Sequence, residues 1–241
     1  MKKIIVIVRE TFPTNEILNE ENIREKYVLN PYDEYALLQA KKIKEQEEAE
    51  IVCFFLARRE SQYGLRTALG LGADRGVFVE YRDNSIPNIA KHLAKEIQKE
   101  DYDAIFLGIR DVNNDRGELP SRLALALELP LYSHIQSLSL QGKYRAKQER
   151  DKTIDELAIG KAGIFAFHQN VYEPEYPSIS SILLISQKEI RVASVLEAVD
   201  REEKEIIYQK RERAQEIYKK IGASEGTKLL FDYLQKWKLV D

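Results

Sequence analysis

The densest group of side chains able to meet a ligand lies in residues 103–131, DAIFLGIRDVNNDRGELPSRLALALELPL. Asn113, Asp115, Arg116, Gly117 and Glu118 sit between an apolar run at 104–107 and a segment at 120–128 with helical periodicity. An apolar run of that length, closed by Asp103 and Gly108, reads as a buried parallel strand. Strand, polar loop and helix together make the usual anion or nucleotide site of an α/β sheet. The ligand lies beyond the carboxyl end of the strand and faces the unpaired N–H groups and positive dipole end of the helix. The same residue types also build an ordinary βα turn.

Other chemistry finds little support. His92, His134 and His168 are far apart in sequence and none has a second His or a Cys at helical spacing, which disfavours a zinc site. The single cysteine, Cys53, lies in an apolar run and reads as a core residue; one cysteine makes no internal disulfide and no cluster site. G-x-S-x-G, H-E-x-x-H, Walker A and G-x-G-x-x-G sequences do not occur. Gly70-Leu71-Gly72 follows a helix-like segment, so it reads as a helix stop and not as a dinucleotide fingerprint. No nucleophile, base and oxyanion donor assemble, so a binding or carrier role is favoured over independent catalysis. A formal charge of −3 argues against a general nucleic-acid binder. The opening MKKIIVIVRE turns charged at once and reads as a first strand, and no stretch reaches membrane-spanning length, so the expected location is cytoplasmic.

The elements that must position these residues alternate. Strands are expected at 4–8, 50–56, 75–80 and 103–107, and helices at about 31–46, 61–71 and 85–99. Asn30 suits a helix N-cap and Pro31 the first helical position. This order implies βαβ crossovers and a parallel sheet with helices on both faces. Beyond residue 131 a hairpin is expected at 134–148, turning at Gln141-Gly142, and a buried strand at 162–167, giving an antiparallel edge. Residues 171–183 read as an exposed docking loop with an aliphatic tip at Ile179. Residues 191–216 read as an extended arm, followed by a short helix near 212–220, a break at 222–226 and an amphipathic helix at 227–237. The division expected is residues 1–190 for the nucleotide-binding domain and 191–241 for a C-terminal arm and helix that pack on a partner.

Four segments, in order and at family spacing, carry a resemblance: NPYDEYA at 30–36, RTALGLGADR at 66–75, the loop at 108–119, and EPEYPS at 173–178, with a similar final helix at 225–239. The chain resembles the β subunit family of electron transfer flavoprotein. The resemblance implies a three-layer Rossmann-like parallel sheet of the adenine-nucleotide-hydrolase-like type, with an antiparallel edge and a C-terminal arm. It implies a heterodimer with an α subunit that holds most of an FAD. That heterodimer carries electrons from dehydrogenases, such as acyl-CoA dehydrogenases, to a quinone-linked oxidoreductase. It implies AMP as a structural nucleotide in this subunit, or a second FAD there in the electron-bifurcating branch. A nucleotide-free scaffold and a nucleotide-hydrolysing enzyme on the same fold are the alternatives.

The nucleotide contacts carried over by the resemblance are Ile7, Asn30, Pro31, Tyr32, Asp33, Leu56, Ala57, Gly108, Asn113, Asp115, Arg116, Gly117, Glu118 and Leu119. The docking contacts are Tyr176, Pro177 and Ile179. Two positions depart from the family pattern: Arg116 replaces a small hydroxyl or Cys residue and suits an anion, whereas Glu118 replaces Gln and repels one.

Overall fold

The computed structural model describes residues 1–11, 28–57, 63–82, 85–112, 117–142, 144–151, 153–160, 163–168, 175–197 and 221–237. Strands β1 (Lys2–Thr11), β3 (Ala49–Ala57), β4 (Arg75–Glu80) and β5 (Ala104–Gly108) form where the apolar runs predict them; β1 and β3 extend beyond the expected bounds at both ends, β4 matches them and β5 is shifted by one residue. Their interiors are buried on both faces, which is why they read as continuous apolar runs and not as alternating ones. A two-residue strand β2 (Val28–Leu29) pairs antiparallel with the end of β1. Helices α1 (Pro31–Gln46), α2 (Tyr63–Leu71), α3 (Ile86–Ile97) and α4 (Glu118–Leu127) cover the two faces. The remaining strands are β6 (Leu131–Ser139), β7 (Tyr144–Arg150), β8 (Thr153–Ile159), β9 (Ile164–Phe167) and β10 (Ile190–Val192).

The sheet runs β10-β4-β3-β1-β5-β9-β6-β7-β8. It is parallel from β10 to β6 and antiparallel through β7 and β8, so the expected α/β fold with an antiparallel edge is what forms. One core lies under α1 and α2, with Val6, Val8, Leu37, Phe55 and Phe106. The other lies under α3 and α4, with Ile5, Ile7, Phe54, Leu93, Leu107 and Leu123. Among the described residues no helix is long and apolar enough to cross a membrane.

Four local expectations change. Strand β8 was not anticipated, because TIDELAI is charged and mostly exposed. Residues 190–192 pair with β4 and Leu196 bridges Tyr81, so this stretch adds to the sheet where an extended arm was expected; three residues are too few to show a period in sequence. The docking segment is helical: α5 (Ile179–Leu184), followed by a single 3-10 turn, with Ser178 capping the first turn by accepting from the Ser181 N–H. Gly226 is no break but lies inside α6 (Ala223–Lys236). The short helix expected near 212–220 and most of the arm, 198–220, fall outside the described residues. By its internal contacts the chain divides into residues 1–200 and 201–241.

Strand β10 is held by ions as well as by its ladder. Arg191 donates to Glu96 at 2.9 Å and Glu100 at 3.3 Å, Ser194 donates to Glu96 at 2.9 Å, and Lys99 donates to Glu96 at 2.6 Å. Burial would push the Glu96 carboxyl up, but its hydrogen bonds from Lys99, Arg191 and Ser194 prevail and hold it at about 2. A carboxylate held below its unfolded value contributes stability that is complete above that value and is lost as pH falls through the folded one. The unfolding free energy should therefore drop between about pH 4.5 and pH 2, by an amount on the order of 2 kcal/mol attributable to this group. Urea titrations across that range should show Glu96→Gln missing that part of the drop.

Candidate functional site

The carboxyl ends of β1, β3 and β5 converge where the strand order reverses about β1. Strands β1 and β5 are paired from Ile4↔Ala104 to Val6↔Phe106 and then part, while β1 and β3 stay paired to Arg9↔Leu56. This parting is the switch point of the sheet, the place at which α/β sheets bind ligands. Ile7 lies at this parting, but it is not the strand end, because β1 continues to Thr11. The side chains of Ile7, Leu56 and Leu119 share the core under α3 and α4, and Ala57 is buried in the opposite core. At 0–4% exposure these four are buried whole, main chain as well as side chain.

Asn30 and Asp33 come to the crevice by the start of α1, where Pro31 takes the first helical position. Both are fully buried, and both are already bonded within the protein. The Asp33 carboxylate accepts from the Arg9 main-chain N–H (2.9 Å), from Arg9 Nε (2.8 Å) and Nη2 (2.7 Å), and from the Gly108 N–H (2.7 Å). Four donors fill the acceptor capacity of one carboxylate. Arg9 Nη2 also reaches the carbonyls of Gly108 (3.2 Å) and Arg110 (2.9 Å), so one guanidinium ties β1, α1 and the loop after β5. Burial works against the Arg9 charge, but Asp33 more than offsets it and holds the guanidinium above its usual range.

The N-cap residue Asn30 makes no side-chain cap bond. Its amide donates to the Arg110 carbonyl at 2.9 Å and its oxygen accepts from the Val112 N–H at 3.4 Å. Helix start and loop are thus laced together. Gly108 permits this: a Cβ there would meet the Tyr32 Cβ at 2.4 Å and the Asp33 nitrogen at 2.7 Å. Pro31 is exposed, and buried Tyr32 accepts from Arg110 Nε at 2.7 Å through its hydroxyl.

Across the crevice, α4 begins at Glu118 behind Gly117, whose φ of 56° is left-handed and which supplies no side-chain cap. The first-turn N–H groups of a helix have no intrahelical acceptor and so face whatever lies before them. Glu118 is bound to Arg122 one turn on, at 2.9 Å, and this pairing answers part of its repulsion toward an anion. Asn113, Asp115 and Arg116 lie outside the described residues.

Sequence reasoning missed Arg9, Arg110 and a histidine pair. His134 and His168 stack at 5.9 Å between ring centroids, and Tyr32 meets His168 edge-on at 6.1 Å. The two histidines line an open cavity of about 430 Å³ beside Gln148, Glu149, Arg150 and Asp151. His134 has a φ of 56° and stands within the irregularity between Tyr132 and Ile135, where a bulge re-aims its side chain. A separation of 34 residues gives such a pairing no signal in sequence. Among the described residues no three His, Cys, Asp or Glu side chains are grouped to hold a metal.

The residues expected to dock lie before and in α5. Tyr176 and Ile179 are 91% and 79% exposed, and Ile182 and Leu183 extend the apolar stripe at i+3 and i+4 along α5. Pro177 is half-buried against α2.

Comparison with known sequences agrees with this geometry. The profile of the electron transfer flavoprotein domain matches residues 21–198. Electron transfer flavoprotein subunit beta of Bacillus subtilis (strain 168) is 28% identical over 199 residues, covering 77% of this chain and 76% of the relative. The protein of that name from Syntrophomonas wolfei is 29% identical over 205 residues, 81% of each. The one from Homo sapiens is 27% identical over 174 residues, 69% of this chain and 68% of the relative. With a switch-point crevice, a helix N-terminus across it and the family match over most of its length, the chain belongs to the electron transfer flavoprotein family, on its β-subunit branch.

Proposed function

We propose that the chain is the β half of an electron-carrying heterodimer and holds AMP in the crevice between β1 and β5. The observation that carries this reading is the parting of β1 and β5 at the switch point of the sheet, with α4 starting beyond β5 behind the glycine N-cap Gly117. Ile7, Leu56, Ala57 and Gly108 would form the buried floor beneath the adenosine, with Pro31 and Tyr32 at its rim. The N–H groups of Gly117, Glu118 and Leu119 would meet phosphate, and Asn113, Asp115 and Arg116 would complete the loop around it. Asn30 and Asp33 act differently from a direct contact: their side chains are spent on Arg9, Gly108, Arg110 and Val112, so they shape the crevice from behind. FAD, held mainly by an α subunit, supplies the redox chemistry when bound. In this reading α6, with Leu230, Phe231 and Trp237 exposed, packs on that subunit. Tyr176, Pro177 and Ile179 dock on an acyl-CoA or related dehydrogenase, and a quinone-linked oxidoreductase takes the electrons onward, in the cytoplasm.

The test is extraction of the co-purified heterodimer, with nucleotide identified by mass spectrometry and flavin counted from the visible spectrum. The expected result is one AMP and one FAD per heterodimer. Two FAD and no AMP would assign the bifurcating form. One FAD per heterodimer with no AMP would overturn the reading.

A further inference from the structure

The Gly70-Leu71-Gly72 stretch ends α2 as expected, and Gly70, the penultimate residue of the helix, is buried and has the segment around α5 resting on it. Gly72, with a φ of 138°, is the residue at the helix end. A Cβ built on Gly70 would stand 2.8 Å from the Pro177 Cβ, 3.1 Å from its Cγ and 3.5 Å from the Ile185 Cδ1. Pro177 precedes α5 and Ile185 follows it, so both ends of the exposed helix converge on one absent side chain. Neighbouring contacts hold the same segment. Lys41 of α1 pairs with Glu175 just before it. Lys188, just after it, donates to the Leu69 carbonyl in the last turn of α2 at 2.7 Å and to the Ala73 carbonyl just beyond that helix at 2.6 Å. Ile185 is 7% exposed, whereas Ile179 and Leu183 between the anchors are 79% and 71% exposed.

We infer that Gly70 is the positioning residue of the docking helix: the space left by its missing side chain sets the height at which Ile179, Ile182 and Leu183 are presented. A helix of six residues cannot fix its own orientation, since so short a helix is not stable by itself. Its pose comes from the surface beneath. That surface is buried helix backbone at Gly70, and a contact under 3 Å there cannot be relieved by rotating a side chain, because the proline ring has no free rotamer. The inference rests on the docking reading above.

The experiment uses the heterodimer carrying Gly70→Ala, Pro177→Gly, or both. Alanine is the better helix former, so Gly70→Ala should not weaken α2 itself. Two readouts are taken: hydrogen exchange of the amides at 178–187, and steady-state reduction of the heterodimer by an acyl-CoA dehydrogenase supplied with its acyl-CoA. Gly70→Ala should accelerate exchange in the segment and raise the KM for the carrier about tenfold, the size of loss expected when interface anchors are displaced, with kcat and bound flavin unchanged. In the Pro177→Gly background, which lacks both ring atoms, adding Gly70→Ala should change neither readout further. Unaltered exchange in Gly70→Ala, or an equal increment in both backgrounds, overturns the inference. Exchange that responds as expected while KM stays at the wild-type value keeps the seat and overturns the docking reading.

Discussion

Replacing Asp33 by Asn should cost roughly 3–5 kcal/mol of stability, the usual result of removing one partner from a buried ion pair. The isosteric amide keeps the volume but loses the charge and can accept on one side only. Of the four donors now facing the carboxylate, those nearest the new NH2 group are left unpaired, and the Arg9 guanidinium stays buried without its counterion. For a chain of this size a loss of that order lowers the melting temperature by roughly 10 °C. The double variant Arg9→Met with Asp33→Asn should recover part of the loss, because it removes the stranded cation. Recovery should be incomplete, since the Arg9 and Gly108 main-chain N–H groups still need an acceptor. Urea unfolding of the two single variants and the double variant gives the coupling directly. Additive losses would show that Asp33 works mainly through the backbone, and equal stability of wild type and Asp33→Asn would remove its structural role altogether. Loss of nucleotide should accompany the destabilisation, because the loop from Gly108 to Val112 hangs on these bonds.

This network marks the boundary of what the sequence tells. Buried strands announce themselves through runs such as Ile4-Ile5-Val6-Ile7-Val8, because every residue of the run meets a core. The start of α1 is equally plain, since Asn30-Pro31 has few other uses. The job of the Asn30 side chain is not, because its partners lie 80 and 82 residues away and are main-chain atoms, which carry no sequence signal. Arg9 is concealed for a related reason. A charged residue closing an apolar run reads as the point where a strand reaches water, yet Arg9 is 8% exposed, and the partners that keep it buried lie 24 to 101 residues away. Gly70 is legible only in part: glycine near a helix end suggests termination, and α2 does end at Leu71, but only the Pro177 contact shows that Gly70 also makes room. The serines at 178, 180 and 181 suggested a loop by composition, but one of them caps the helix that the apolar residues then form.

Ile179→Ala should slow reduction by the donor dehydrogenase about thirtyfold while leaving the heterodimer, its flavin and its melting temperature unchanged. Truncating a central apolar anchor commonly costs 2 kcal/mol or more of binding, roughly a factor of thirty. Nothing inside the chain should offset or add to that loss, because Ile179 is 79% exposed and surface changes of this kind are nearly neutral for folding. The helical form of the segment adds a second expectation that a loop tip would not carry. Ile179, Ile182 and Leu183 occupy i, i+3 and i+4 of α5, the spacing by which a helix lays one face into a groove. Leu183→Ala should therefore weaken transfer on its own, by about tenfold, whereas Tyr176→Ala, at the edge of the stripe and 91% exposed, should do less. Transient electron-transfer contacts are small, so few residues share the affinity and each loss is correspondingly visible. The loss should fall on KM for the carrier, because electron transfer inside a formed complex does not involve these side chains. Wild-type kinetics in Ile179→Ala together with Leu183→Ala would mean that this apolar stripe meets some other surface. A fall in kcat with unchanged KM would mean that it acts after the complex has formed.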